Sequence, residues 1–298
     1  MKIERFRWLI ALMTLLALTA AACASDDDGD AEVEESADEA SAAVDDVEAS
    51  ADEAMEDAEE AASSGDLGLL EEGQLLVGSD IAFEPFESIV DGEPVGFDID
   101  LMDEIASRIG VEVEYQNTPF DTIFTQLAGG SFDAIISAIT ITDERDETID
   151  FSDPYFAANQ GLATLEGSEI TGVGDLTADT TIAVQSGTTG ADYALENFAD
   201  SSIQEFPTSV DAFAALASES VDAVFIDLPV VGGQVEAGTA VLAEEVNTDE
   251  LYGIGVGEGN TGLATAINEA LAGIIEDGTY AEIYGTWFEG DVPEQFAS

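Results

Sequence analysis

The sequence predicts an α/β protein built on two separate sheets. Three observations predict it: short apolar runs alternate with helical patterns, the runs fall into two series, and no Gly/Pro-rich linker divides them. The strand-like runs are 75–79, 111–116 and 133–138 in the first series, then 181–185, 202–206 and 221–226 in the second. Between the first two runs, Phe97, Leu101, Ile105 and Ile109 recur at helical spacing. Further helical patterns fit 121–128, 188–198, 209–217, 261–276 and 280–287. The join at 156–165 reads as a strand passing directly from one lobe to the other, and 251–256 is another short apolar piece. The plainest arrangement starts lobe one over 67–157, builds lobe two over 158–249, and returns over 250–298 to finish lobe one. Two crossing strands then form a hinge.

The N-terminus reads differently. Lys2, Arg5 and Arg7 precede an apolar run from Trp8 to Ala22, which fits an export signal over 1–22. The run is shorter than the roughly 20 residues of a spanning helix. Cys23 is the only cysteine, so no intrachain disulfide can form. Ala20-Ala21-Ala22-Cys23 resembles a bacterial lipoprotein cleavage box, with Ala20 where Leu, Ile or Val is usual. Lipidation of Cys23 and an anchor on the outer face of the cell membrane, or in the periplasm, are expected. Residues 23–66 are nearly all Asp, Glu, Ala and Ser, without a base, so a flexible acidic tether is expected. Val33, Ala37, Ala40, Val44 and Val47 open a heptad pattern there. Its Ala-rich seam and like charges support transient helix at most.

Charge narrows function. The chain has 66 acids, five Lys and Arg together, and no His. Three of the five cations precede residue 8, which leaves Arg108 and Arg145 for everything after it. Such a balance excludes ordinary nucleic-acid backbone binding. It also fits a salty setting, since self-repulsion weakens the fold at low ionic strength. Neither a metal nor another cofactor is expected, because without His only oxygen ligands remain in the folded region. Arg108 sits just off the apolar stripe of its helix and reads as a solvated face. Arg145 follows a buried run and reads otherwise.

In open α/β sheets ligands bind beyond the carboxyl ends of strands. Asp80 follows the first run. Ser137, Ala138, Thr140 and Arg145 close or follow the third, Ser186-Gly187-Thr188-Thr189 the fourth, and Asp227 the sixth. A guanidinium grips a carboxylate bidentately, and a helix start adds N–H donors. Asp227 can pair with an ammonium, so the set suits a zwitterion. Phe83, Phe86 and Phe120 lie near enough in sequence to wall a pocket. Each has a plainer reading: Asp80 and Asp227 as helix N-caps, Ser-Gly-Thr-Thr as a turn and cap, the Phe residues as core, Arg145 as an ion pair with Asp143, Glu144 or Asp150.

Those residues stand within recognisable motifs. Gly96-Phe97-Asp98-Ile99-Asp100-Leu101, Ile139-Thr140-Ile141-Thr142-Asp143-Glu144-Arg145, Asp150-Phe151-Ser152-Asp153-Pro154-Tyr155 and Asp277-Gly278-Thr279-Tyr280 together resemble bacterial extracellular solute-binding proteins of the polar amino-acid type, over about 74–290. The resemblance implies the type II periplasmic-binding-protein fold: two lobes closing on a free L-amino acid that passes to a membrane ABC permease, the binder acting as a monomer. It places Arg145 with Thr140 and Thr189 on the α-carboxylate, and Asp227 with the Ser137–Ala138 region on the ammonium. Phe83 and Phe120 would then sandwich the side chain, with Asp80 near its distal end; Thr188 is a further ligand-binding candidate. Gln185 and Ile226 stand where the glutamine-binding subgroup has Lys and His.

A dicarboxylic ligand would bury a second carboxylate with no second cation, so neutral polar or cationic amino acids are expected. The main alternative is an enzyme of the same fold, a cyclohexadienyl-type dehydratase. Without His, and without Lys beyond Lys2, its proton transfers would fall to carboxylates, Tyr or water. A tethered sensor module is a third reading.

Overall fold

A computed structural model of the chain describes residues 67–297. The export signal, Cys23 and the acidic tether lie outside these described residues.

The first lobe is built on a five-stranded sheet. Its strands are β1 (Gln74–Ser79), β4 (Glu112–Asn117), β5 (Ala134–Ile135), β6 (Ile149–Phe151) and β12 (Gly255–Gly257), in the order β4-β1-β5-β12-β6. β1 runs parallel to β4 and β5, whereas β12 is antiparallel to β5 and β6. A short hairpin, β2 (Ser88–Val90) and β3 (Glu93–Val95), precedes helix α1 (Phe97–Ile109). Gly96 between them holds a left-handed φ of 146°, and a Cβ there would collide with the Phe86 carbonyl, so only glycine fits. Helices α2 (Phe120–Ala128), α3 (Asp143–Asp146), α7 (Thr261–Glu276) and α8 (Thr279–Trp287) complete this lobe.

The second sheet orders β11 (Val241–Tyr252), β7 (Phe156–Thr164), β10 (Ala223–Asp227), β8 (Thr181–Gln185) and β9 (Ser202–Phe206). β10, β8 and β9 are parallel, while β7 pairs antiparallel with both β10 and β11. Helices α4 (Thr189–Asn197), α5 (Ser209–Ala217) and α6 (Leu228–Glu236) belong to it. Both sheets are therefore mixed, where the βα alternation alone predicts mostly parallel ones. The antiparallel members arise because the chain enters the second sheet on β7 and leaves it on β11, and those two strands pair along their length.

Where these strands cross, Glu250 lies opposite Ala158 and Tyr252 opposite Phe156. Phe156 and Tyr252 stack with centroids 5.6 Å apart, and Phe86 packs edge-on to both. Phe97, Tyr284 and Phe288 extend the cluster. Each such aromatic pair adds about 0.5–1.5 kcal/mol beyond the area it buries. An aromatic cluster thus sits where the two strands cross. Phe86 belongs to that core, fully buried, and lines no cleft; its sequence reading as a pocket wall is corrected here.

Candidate functional site

Strand ends of both sheets meet in a cleft. At the end of β1, the Asp80 backbone N–H donates to Ser137 Oγ at 3.1 Å. Ser137 in turn donates to Glu87 Oε1 at 2.5 Å. β5 ends at Ile135 rather than running on to 138, because Ala138 adopts a left-handed φ of 46°. That turn costs a β-carbon residue roughly 1–2 kcal/mol. The carboxylate of Asp98 holds it by accepting the Ala138 N–H at 2.7 Å. The turn throws Ser137, Ala138 and Thr140 to the cleft side of the sheet.

Arg145 follows through a local cap. The Thr142 hydroxyl accepts the Arg145 N–H and starts α3. The guanidinium then folds back, Nη1 donating to Thr140 O at 2.6 Å, while Nη2 reaches across the cleft to Gly187 O at 3.1 Å. Its Cζ lies 4.6 Å from the Phe124 ring centroid and 5.5 Å from that of Phe120. No carboxylate pairs with Arg145 among the described residues. Both ion pairs there belong to Arg108, with Glu104 and Asp277, each at 2.9 Å. Burial lowers the Arg145 pKa; the nearby charges of Asp227, Glu250, Asp192 and Glu144 push it back up. Of the two cations beyond residue 8, one is a surface clamp and the other a half-buried charge in the cleft.

The second lobe supplies the facing side. Gly187 takes a φ of 77°, and a Cβ on it would stand 3.1 Å from the Asp121 Cα of the first lobe, so glycine permits the close approach. Thr188 is the N-cap of α4: its hydroxyl accepts from Ala191 N at 3.1 Å and donates to Gln185 O at 2.9 Å. Asp227, at the N-terminus of α6, makes no side-chain cap. Its carboxylate accepts instead from Gln160 Nε2 and from the Tyr252 hydroxyl. Burial, then the charge of Glu250, raises Asp227 to about 7, against hydrogen bonds from Tyr252 and Gln160 and the charge of Arg145. Asp80 is raised to about 6, again by burial first.

Phe83, Phe120, Ser137, Ala138, Thr140, Arg145, Gln185, Thr188, Thr189 and Asp227 line one cavity. Of the candidates from the strand ends, Ser186, Gly187 and Asp80 are not in its lining; Asp80 sits behind Gln185 and accepts its Nε2 at 2.8 Å. The enclosed space is about 10 Å³, room for one water-sized sphere, so any larger guest requires the lobes to part.

Two participants escaped the sequence reading. Gln160 bridges Asp227 and Glu250 with its amide, and Glu250 accepts from Thr140 Oγ1 at 2.6 Å and Thr189 Oγ1 at 2.9 Å. A usable signal existed: Glu250 and Tyr252 are two apart on one strand and therefore share a face.

A model of the bacterial extracellular solute-binding proteins, family 3, matches residues 75–290. The chain belongs to that family. It is 36% identical over 207 residues to the ABC transporter glutamine-binding protein GlnH of Bacillus subtilis (strain 168), covering 68% of this chain and 76% of that one. Among solved structures it is similar to the arginine-, lysine-, histidine-binding protein ArtJ of Geobacillus stearothermophilus, at 37% identity and TM-score 0.70, over 74% of this chain and 97% of ArtJ. An ancestral amino acid-binding protein described as a precursor of cyclohexadienyl dehydratase matches at 35% identity and TM-score 0.70, over 73% of this chain and 96% of that one. The two-lobe type II fold that the motifs imply is the fold of this family member.

Proposed function

We propose that this family 3 protein captures one free polar amino acid, neutral or cationic, between its lobes and delivers it to an ABC permease. One observation carries the reading: Arg145, a cation without a carboxylate partner among the described residues, stands in a cleft lined by Asp227 and backed by Asp80 behind Gln185 and Glu250 behind Thr140 and Thr189. A zwitterion answers that arrangement. Its carboxylate goes to Arg145 and the N–H groups at the α4 start, its ammonium to Asp227.

Phe83 and Phe120 flank the side chain, and Asp80 with Gln185 meets its far end. Three acids against one base make a further ligand carboxylate costly, since an unpaired buried charge loses several kcal/mol. Glutamate and aspartate are therefore excluded as preferred ligands. The names of similar proteins, which bind glutamine or arginine, lysine and histidine, support the same range.

The protein works as a binder, not an enzyme, as a monomer outside the cytoplasm, held to the membrane through lipidated Cys23. Thermal-shift screening of the full chain against the common amino acids tests this. Stabilisation by arginine or glutamine but not by glutamate supports the reading, and indifference to every amino acid contradicts it. Unchanged ligand recovered after incubation separates binding from dehydration.

A further inference from the structure

We infer that Glu250 is a positioning residue that latches the two lobes together. One of its oxygens, Oε2, receives the hydroxyl proton of Thr140 from the first lobe at 2.6 Å and that of Thr189 from the second at 2.9 Å. The other, Oε1, is held by Gln160 Nε2 at 3.0 Å. Gln160 lies on β7 and Glu250 on β11, so the carboxylate is fixed to both crossing strands at once. It is 8% exposed and has little freedom to follow either threonine if the lobes separate.

Among the described residues four other side-chain bonds span the lobes: Arg145 to Gly187 O, Gln185 to Asp80, Ser209 Oγ to Ala82 O at 2.7 Å, and the hydroxyls of Thr140 and Thr189 to each other at 3.4 Å. None of these involves the crossing strands. Glu250 alone among them ties lobe contact to the hinge.

A threonine hydroxyl has one proton to give. Both protons are directed to a single anionic acceptor, and hydrogen bonds to charged groups are among the stronger ones. Opening the lobes moves Thr140 and Thr189 apart, so Oε2 cannot keep both donors. Glu250 therefore sets how much closed form exists before a solute contributes anything. Apparent affinity scales with that population. The inference rests on the two-lobe fold and not on which amino acid enters.

The test uses the full chain with Cys23→Ser and spin labels at Thr125→Cys on α2 and Glu196→Cys on α4, both exposed positions on opposite lobes. Interlabel distances are measured without any amino acid. Glu250→Leu is expected to lower the short-distance population at least about tenfold. Thr140→Val should reproduce the shift, and the double variant should go no further, as residues acting through one bond do. Glu250→Gln keeps an acceptor oxygen and should retain the short distance, which a role in packing alone would not require. Should Glu250→Leu fail to melt cooperatively, Thr140→Val against Glu250→Gln carries the same comparison. An unchanged distribution in Glu250→Leu or Thr140→Val, or shifts that add, overturns the latch. Failure to bind amino acids would leave this readout intact and count against the proposed function alone.

Discussion

Gln185, at the end of β8, donates its side-chain amide to the Asp80 carboxylate at the end of β1, joining the lobes at 2.8 Å. The amide oxygen of Gln185 is buried and accepts no hydrogen bond from the protein. This end of the cavity therefore offers acceptors, which suits a ligand terminus rich in N–H groups. Replacing Gln185 by Lys would neutralise Asp80 in place. Calorimetric titration of Gln185→Lys should show the arginine-to-glutamine affinity ratio falling by about tenfold or more, the scale of one charge-assisted contact. A ratio that rises would mean Asp80 does not face the ligand's far end.

Asp227 gives binding a pH dependence of definite sign. Its carboxyl is raised to about 7, and an ammonium partner requires the ionised form. Below about pH 7 the ligand must displace a proton, so affinity should fall by about tenfold per pH unit as pH drops from 7 towards 5. Titrations at pH 6 in buffers of different ionisation enthalpy should register close to one proton released per ligand. Proton uptake would reverse the assignment.

A second carboxyl pair, Glu87 and Asp98, lies behind the binding loop. Both are fully buried, and one oxygen of each, Glu87 Oε2 and Asp98 Oδ1, has no hydrogen-bond donor among the described residues. Burial raises both, Asp98 to about 7 and Glu87 well above its usual range. The folded form thus keeps protons that the unfolded chain gives up near pH 4. Stability from this source is complete at low pH and declines as pH rises through about 7. Urea unfolding should show greater stability at pH 5.5 than at pH 7.5, by about 1.4 kcal/mol per pH unit for each retained proton. Glu87→Gln carries its donor permanently and should flatten that slope. A slope of opposite sign would contradict proton retention by this buried pair.

Much of this was readable beforehand. The helices at 97–109, 209–217 and 261–276 and the strands at 181–185 and 202–206 coincide with the observed elements, because apolar spacing there is regular. The run at 133–138 misled because its last residues are buried in a left-handed turn, and burial looks the same as strand in an apolar run. Strand β11 was read only at its end: in Val241–Tyr252 the polar runs Glu244-Glu245 and Asn247-Thr248-Asp249-Glu250 interrupt the apolar residues, and its pairing carries register shifts, so no period-2 pattern shows.

The cleft side chains at strand ends were legible because topology places such ends together. Glu250 was harder to single out, since one glutamate among 66 acids carries no compositional signal and only its spacing from Tyr252 points to it. Asp98 was hidden differently: an acid in a helix's first turn normally faces water, and here it is sealed beneath Ala138 and Tyr155. Arg145 was conspicuous because cations are so scarce.

That scarcity makes Arg145 the residue on which the functional account turns. Calorimetry of the full chain and of Arg145→Ala, titrated with L-arginine, L-glutamine and L-glutamate at pH 7.5, tests it most directly. Losing the cation strands a buried carboxylate, which costs about 3–5 kcal/mol, so the preferred ligand should bind roughly 150- to 5,000-fold more weakly. Arg145→Ala binding that amino acid as tightly as the unaltered chain would show that the guanidinium does not hold the ligand's acid end.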